Sequence, residues 1–445
     1  MSGLLGILIF IVALLFSIAL HEIGHMLPAK KFGAKVSQYM IGFGPTIWSR
    51  QRGETEYGLK LIPLGGFVRI LGMFPPRPDG PMSDEELELL RESKTFRARM
   101  TLLIESTRSD SLAELGEDQQ NRAFYRLSVP KKVIVMFGGP FMNLVIATIL
   151  FGIATVGIGS PQVNTAISDI VACVPTADNA EGIESVDGGC GNGKHTPAHL
   201  LGLQKGDQLT AIDGIQIQQW EDISAALKNK AGKVVTVNWI RGEDAQSGSA
   251  TIASWTRPVL DEQGKKTDAT ETVSFLGVQP MFEYVSQPIN ALPGFVWQQA
   301  VDVAKAIIGF PAGVIGVGDS LVTDQPRDSE GFVSIIGVGQ VSSNVAANSE
   351  VSFTDKLLAF LYMFASLNMF LFVFNLVPIL PLDGGHIAGA IFEGFRKTWA
   401  RIRRKPLPPP VDTAKMMPVA YIAAIFLISA SLVLMLADIF KPISF

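Results

Sequence analysis

The chain has 445 residues, 48% of them hydrophobic and only 18% charged, with a mean hydropathy of +0.30 and a formal net charge of −4. That balance argues against a wholly soluble chain and fits a polytopic membrane protein carrying at least one soluble domain. Two cysteines, Cys173 and Cys190, are too few for a disulfide scaffold.

In chain order, the first apolar run covers residues 4–27, enough for a helix across ~30 Å of hydrocarbon. It lacks the basic start and small-residue cleavage site of a signal peptide, so residues 1–28 read as a retained transmembrane helix. Within it lies His21-Glu22-Ile23-Gly24-His25, an H-E-x-x-H pattern. Helical positions four apart share a face, so His21 and His25 can point at one ion. Imidazole suits zinc, and a catalytic zinc usually keeps three protein ligands and a water. Zinc brings the pKa of such a water to roughly 7, and Glu22 stands beside the pair to take its proton. Ionisable groups are costly inside a span, so their presence there points to function.

Residues 29–132 read as a β region followed by a polar loop. Residues 36–44 and 57–70 are strand-like, joined through the polar turn Arg50-Gln51-Arg52-Gly53-Glu54. They make either a small peripheral sheet or a hairpin dipping toward the metal and offering a strand edge to an extended substrate. Gly42, Gly44, Gly65 and Gly66 would allow close backbone approach there. Pro75-Pro76-Arg77-Pro78-Asp79-Gly80-Pro81 is a stiff loop, and Ser83 with Glu86 forms a capping box for a short helix. The mixed charges of residues 91–126 read as solvated helix faces or linker, with no chemistry assigned.

Residues 133–159 form a second span containing Phe137-Gly138-Gly139-Pro140-Phe141-Met142-Asn143. Its small residues permit close helix packing, and Asn143 is either interhelical glue or a site residue. Residues 160–290 form a soluble α+β domain. His199 to Asp207, a strand at 208–212, the Asp213-Gly214 turn, a helix at 220–228 and a strand at 234–241 follow the order of a bacterial PDZ domain. Such a domain binds extended peptide by strand addition or gates the membrane site. His195 and His199 near its start read as ordinary surface residues. Cys173 and Cys190 are a candidate disulfide if this domain is extracytoplasmic, and two free thiols otherwise. Residues 291–354 read as a surface-lying amphipathic helix and a Gly-rich connector.

Residues 355–386 form a third span ending in Asn375-Leu376-Val377-Pro378-Ile379-Leu380-Pro381-Leu382-Asp383-Gly384-Gly385-His386. A carboxylate in such surroundings needs a partner, and metal supplies one, so Asp383 is the expected third ligand, with His386 a competitor on chemical grounds. Asn375 could bond a substrate backbone or a neighbouring helix. A basic loop at 387–416 precedes a fourth span at 417–440. Residues 396–415 hold seven Lys/Arg against one acid, and residues 28–132 hold 17 against 13, whereas residues 160–350 hold 11 against 22. The first two segments are therefore expected in the cytosol and the PDZ-like domain outside, with both site motifs toward the cytosolic ends of their helices.

Together, H-E-x-x-H at 21–25, F-G-G-P-x-x-N at 137–143, the PDZ-like insert and N-x-x-P-x-x-x-L-D-G-G-H at 375–386 resemble the site-2 protease family of intramembrane zinc metalloproteases, in its RseP-like branch. A single PDZ-like domain and a longer loop before the second span are closer to actinobacterial members. The resemblance implies His21, His25 and Asp383 as zinc ligands, Glu22 as catalytic base, His386 as no ligand and Asn375 as a substrate contact. It also implies a bacterial plasma-membrane location and single-span substrates such as anti-sigma factors, first trimmed by a site-1 protease. No nucleic-acid partner is expected. The rival expectation is a non-enzymatic scaffold with a structural metal, which would need a fourth protein ligand.

Overall fold

The computed structural model describes residues 2–77, 80–113, 117–176, 189–190, 193–260, 266–323, 327, 331–349 and 351–442. Pro78 and Asp79 of the proline-rich loop and residues 114–116 of the charged stretch lie outside them. The chain divides into two compact units, one made of Met1–Val156 with Pro288–Phe445 and the other of Gly157–Gln287.

Helix α1 (Ser2–Lys31) is predominantly apolar up to His21 and ends on Pro28 and the basic pair Lys30 and Lys31. Strands β1 (Val36–Arg52) and β2 (Thr55–Ile70) follow. They are longer than the sequence suggests and make more than a simple hairpin. Residues 38–41 pair with 66–69 on one side and with 56–59 on the other, while 46–52 pair back on 55–60. Folding each strand back in this way needs sharp bends, and Gly42, Gly44 and Gly65 supply them with φ of +89°, +84° and +102°. Segment 66–70 is left as an outer edge. Phe43, Ile47, Trp48 and Leu61 project outward from the rest of the sheet, an apolar surface suited to lipid rather than water.

Helix α2 (Asp84–Glu92) starts on the expected capping box, with Ser83 and Glu86 bonding each other's backbone. Helix α3 (Phe96–Ala113) is fastened at two points. Its Ser111 carbonyl accepts from the Gly72 amide at 2.9 Å and its hydroxyl from the Phe74 amide at 3.3 Å. Arg108, buried, reaches Glu105 and Asp412. Helix α4 (Val129–Gly152) continues into a wider turn ending at Ile158. It crosses α1 where a Cβ on Gly24 would strike the Gly138 carbonyl and one on Gly138 would strike that of Gly24. Only paired glycines allow this approach.

In the second unit, strands β3 (Ser160–Ile170), β4 (Gln208–Ile212), β5 (Ile215–Gln216), β6 (Val234–Arg241), β7 (Asp244–Thr251), β8 (Ala253–Leu260), β9 (Lys266–Phe275) and β10 (Val278–Val285) accompany helices α5 (Pro197–Leu200) and α6 (Trp220–Leu227). The main sheet runs β10-β3-β4-β6-β7 with β5 beside β4, and β8 and β9 form a separate pair. Alternating residues of β6 send Val235, Val237 and Trp239 into a core with Ile167, Leu209 and Ile223. Cys173 and Cys190 are bridged, with Cα atoms 5.5 Å apart.

The chain returns to the first unit with α7 (Leu292–Val322), α8 (Ile335–Ala347), α9 (Phe353–Asn375), α10 (Asp383–Ile402) and α11 (Met417–Phe440). Ala147 and Phe151 of α4 pack on Ala365 and Met369 of α9, and Asn368 of α9 donates to Ser17 of α1 at 2.9 Å. Two features differ from the sequence expectation. The third span stops at Asn375 and Asp383 opens a separate helix, because Pro378 and Pro381 cannot continue an α-helix. Much of the expected basic loop is thus the body of α10. Among the described residues five helices, not four, are long and apolar enough to cross a membrane, the additional one running Ile289–Val322. Gln298, Gln299, Asp302 and Lys305 give its first half an amphipathic look in the sequence. Leu292 of α7 packs on Gly152 at the end of α4, and carbonyls of Ser320 and Thr323 at its other end accept from Lys441, just past α11.

One ion pair in the second unit gives a test. Burial disfavours the Asp207 charge, but the Arg241 guanidinium at 2.7 Å and the Gln204 amide hold its pKa below the usual carboxylate value. A depressed folded-state pKa means stability that is present above the unfolded value near 3.9 and lost as pH falls through the folded one. Asp207→Asn should destabilise this unit by about 1–3 kcal/mol and flatten its acid lability, read by limited proteolysis of the intact protein across pH.

Candidate active site

The H-E-x-x-H turn lies near the C-terminal end of α1, where the i, i+4 spacing sets both imidazoles on one face. Their Nε2 atoms are 3.2 Å apart. Asp383, at the start of α10, brings Oδ2 to 3.3 Å from His21 Nε2 and 3.2 Å from His25 Nε2. The three atoms form a nearly equilateral triangle. With zinc bonds of about 2.0–2.1 Å, the edge of a ligand tetrahedron is about 3.3–3.4 Å, so the donor set has the size zinc requires.

The outer ring nitrogens fix which atoms face inward. His25 Nδ1 donates to the Val135 carbonyl at 2.8 Å. The Asn143 carboxamide, fully buried, meets His21 Nδ1 at 3.0 Å, and its oxygen has no other partner. Turned toward the ring, that oxygen accepts the Nδ1 proton. Both Nε2 lone pairs are then free to bind metal, as second-shell bonds commonly arrange. Gly139 explains the remaining space, since a Cβ there would overlap Nε2 of both histidines.

Glu22 faces the same cavity of about 520 Å³. The Val68 backbone, on the edge segment of β2, lies beside its carboxylate and lines the cavity with it. Gly66 lines the cavity as well, and a Cβ there would meet Ile18 and Glu22. Asn375 and His386 also line it. Asn375 donates to the Leu371 carbonyl one turn back, and His386 packs its ring 6.0 Å from Phe74. His386 is absent from the converging trio of His21, His25 and Asp383. Gly42, Gly44 and Gly65 do not line the cavity and shape the sheet instead.

Two contributions to the site are not assigned by the sequence alone. Asn143, which the sequence leaves open between interhelical glue and a site residue, touches a candidate ligand. The charged stretch before the second span, assigned no chemistry, supplies Thr107, Asp110 and Ser111 of α3 to the cavity wall. Their i, i+3, i+4 spacing was the available signal.

A three-donor centre with a carboxylate beside it, carried on long apolar helices, defines a membrane-embedded metal hydrolase. Comparison with known proteins is specific. Residues 9–425 match Peptidase family M50, and the chain belongs to that family. It is 30% identical over 446 residues to Zinc metalloprotease Rip1 of Mycobacterium tuberculosis strain H37Rv, covering 98% of each chain. The Mycolicibacterium smegmatis Rip1 is 32% identical over 452 residues, covering 99% of this chain and 98% of the relative. Zinc metalloprotease RasP of Shouchella clausii is 26% identical over 447 residues, covering 92% and 93%. The chain is thus an intramembrane zinc metalloprotease of the site-2 type, from a multi-pass bacterial membrane protein family.

Asn143→Ala should weaken zinc retention about 10–100-fold, the usual effect of losing a second-shell partner. Competition with a chromogenic chelator measures it, and unchanged affinity would reduce Asn143 to packing.

Proposed function

We propose that this protein hydrolyses peptide bonds of single-span membrane proteins inside the bilayer, with His21, His25 and Asp383 holding zinc and Glu22 acting as general base. The observation that carries the reading is the placement of Glu22 between the donor trio and the outer edge of β2. Zinc held there supplies Lewis-acid polarisation of the scissile carbonyl and acidifies water. Glu22 takes the proton of the attacking water and returns it to the leaving amine. A transmembrane helix hides its carbonyls in its own hydrogen bonds, so the substrate unwinds before attack. The unpaired side of segment 66–70 replaces those bonds by strand addition, and Asn375, which lines the same cavity, steadies the backbone. Gly42, Gly44 and Gly65 serve substrate binding indirectly, through the bends that present this edge.

The charge distribution supports the orientation given above, with the site toward the cytosol and the Gly157–Gln287 unit outside. Four spans rather than five fit the packing better. The starts of α4 and α11 are both fastened to α10, through Lys132 with Glu393 and through Thr413 against Gly389. Both ends of α7 meet the opposite ends of those two helices, so α7 enters and leaves on the same side, with Phe310 in its middle packed against Phe426 midway along α11. The outer unit is PDZ-like in element order and screens or holds substrates. Anti-sigma factors pre-trimmed by a site-1 protease are the natural substrate class, and cleavage frees a sigma factor.

Glu22→Gln should keep zinc yet lose about 10²–10⁴-fold in cleavage of a single-span substrate. Zinc chelation should abolish cleavage by the wild type. Turnover preserved in the variant would remove Glu22 from the chemistry.

A further inference from the structure

We propose that Asp110 determines specificity at the cleavage site by receiving a Lys or Arg side chain on the cytosolic flank of the substrate span. The inference rests on the protease reading and orientation above, and deepens them.

The cavity has three walls. Helices α1 and α10 bring the donor trio, segment 66–70 brings a strand edge, and α3 brings Thr107, Asp110 and Ser111. The α3 wall is built rather than incidental. Ser111 accepts hydrogen bonds from the Gly72 and Phe74 amides, and Arg108 underneath is buried against Asp412. Residues 107, 110 and 111 share one helix face. Arg108 takes the docking side, which leaves Asp110 exposed at the cavity.

The strand sets the direction. Gly66 lies against Glu22, while Gly72, just past the end of β2, bonds Ser111 of α3. A chain added to this edge leaves the reacting centre at Gly66–Val68 and reaches α3 about five residues on, at roughly 3.3 Å per residue. In the proposed orientation that exit is cytosolic. Cytosolic flanks of membrane spans are enriched in Lys and Arg, so the side chain arriving beside Asp110 is commonly a cation. Asp110 has no hydrogen-bond or ion-pair partner among the described residues. Arg69 also lines the cavity but is engaged in an interaction of its own. Asp110 is therefore the carboxylate at this mouth that is open to a new partner.

The experiment uses full-length protein in bilayer discs and three single-span substrates that differ only in the residues about five positions to the cytosolic side of the cut, which are Lys, Gln or Glu. The readout is the ratio of kcat/KM for the Lys-flanked over the Glu-flanked substrate, taken within each enzyme so that loss of folded protein cancels. Wild type should favour Lys about tenfold, the scale of a partly exposed charge pair set against a like-charge one. Asp110→Asn should bring the ratio near one, and Asp110→Lys should invert it. An equal ratio in wild type and Asp110→Asn would overturn the proposal, whatever Asp110→Lys does. The Gln-flanked substrate reports the protease reading separately, because its cleavage must disappear in Glu22→Gln whether or not Asp110 discriminates. Failure of wild type to cleave all three would overturn both.

Discussion

Three electron-rich atoms, Nε2 of His21, Nε2 of His25 and Oδ2 of Asp383, lie within 3.3 Å of one another among apolar helices. Such a cluster is unfavourable in low dielectric without a cation, and most of the first unit is arranged to tolerate it. Helix α1 contributes two donors through one turn. Helix α10 contributes the third from its first residue, where the positive end of the helix dipole favours a carboxylate. Helix α4 contributes none, yet it sets the other two. Its Val135 carbonyl and Asn143 carboxamide fix the imidazoles, and Gly139 leaves them room. The Gly24–Gly138 crossing permits all of this, because any larger residue would push α4 away from the rings it orients.

The sheet solves a different problem. A free strand edge is a hazard in water and would be worse in hydrocarbon, where unpaired backbone groups cost several kcal/mol each. Here the edge segment 66–70 is turned inward, toward the cavity and Glu22, while segment 46–52 closes the far side of the sheet with Ile47 and Trp48 outward. One unpaired row therefore remains where a ligand can use it. This placement follows from the double pairing of residues 38–41, which a plain two-strand hairpin would not give.

Motifs whose chemistry acts over one helical turn were legible in the sequence. His21 and His25 needed only the four-residue spacing, and the Ser83 and Glu86 capping box needed only three. Asp383 was legible because an ionisable group in an apolar, proline-broken stretch demands a partner. What stayed hidden depends on contacts between distant segments. The packing of α3 against the cavity is decided by Ser111 with Gly72 and by Arg108 with Asp412, 304 residues away. Nothing local marks those pairs. Asn143 was ambiguous for the same reason, since a buried amide in a span serves helix packing or a ligand equally well until its neighbour is known. Residues 289–322 mixed a polar first half with an apolar second half, so composition did not decide between a surface helix and a span.

The charged contacts fall at the two ends of the bundle and leave its middle apolar. Beside the site, Glu393 accepts from Lys132 at 2.8 Å and Lys397 at 2.6 Å, and Arg108 holds Asp412 at 2.6 Å. At the far end, Asp438 holds Arg327 at 2.6 Å and accepts from the Ser334 and Gly337 amides. Buried pairs of this kind add little net stability, because desolvation offsets their attraction, but separating them is costly. They act as register marks. Those beside the site fix where α10 begins relative to α4, and hence where Asp383 stands relative to His21 and His25. Those at the far end fix α8 on α11, away from the chemistry. With the helices so marked, α1 and α4 can stay closely packed at Gly24, Gly138 and Gly139, where α4 orients the two imidazoles.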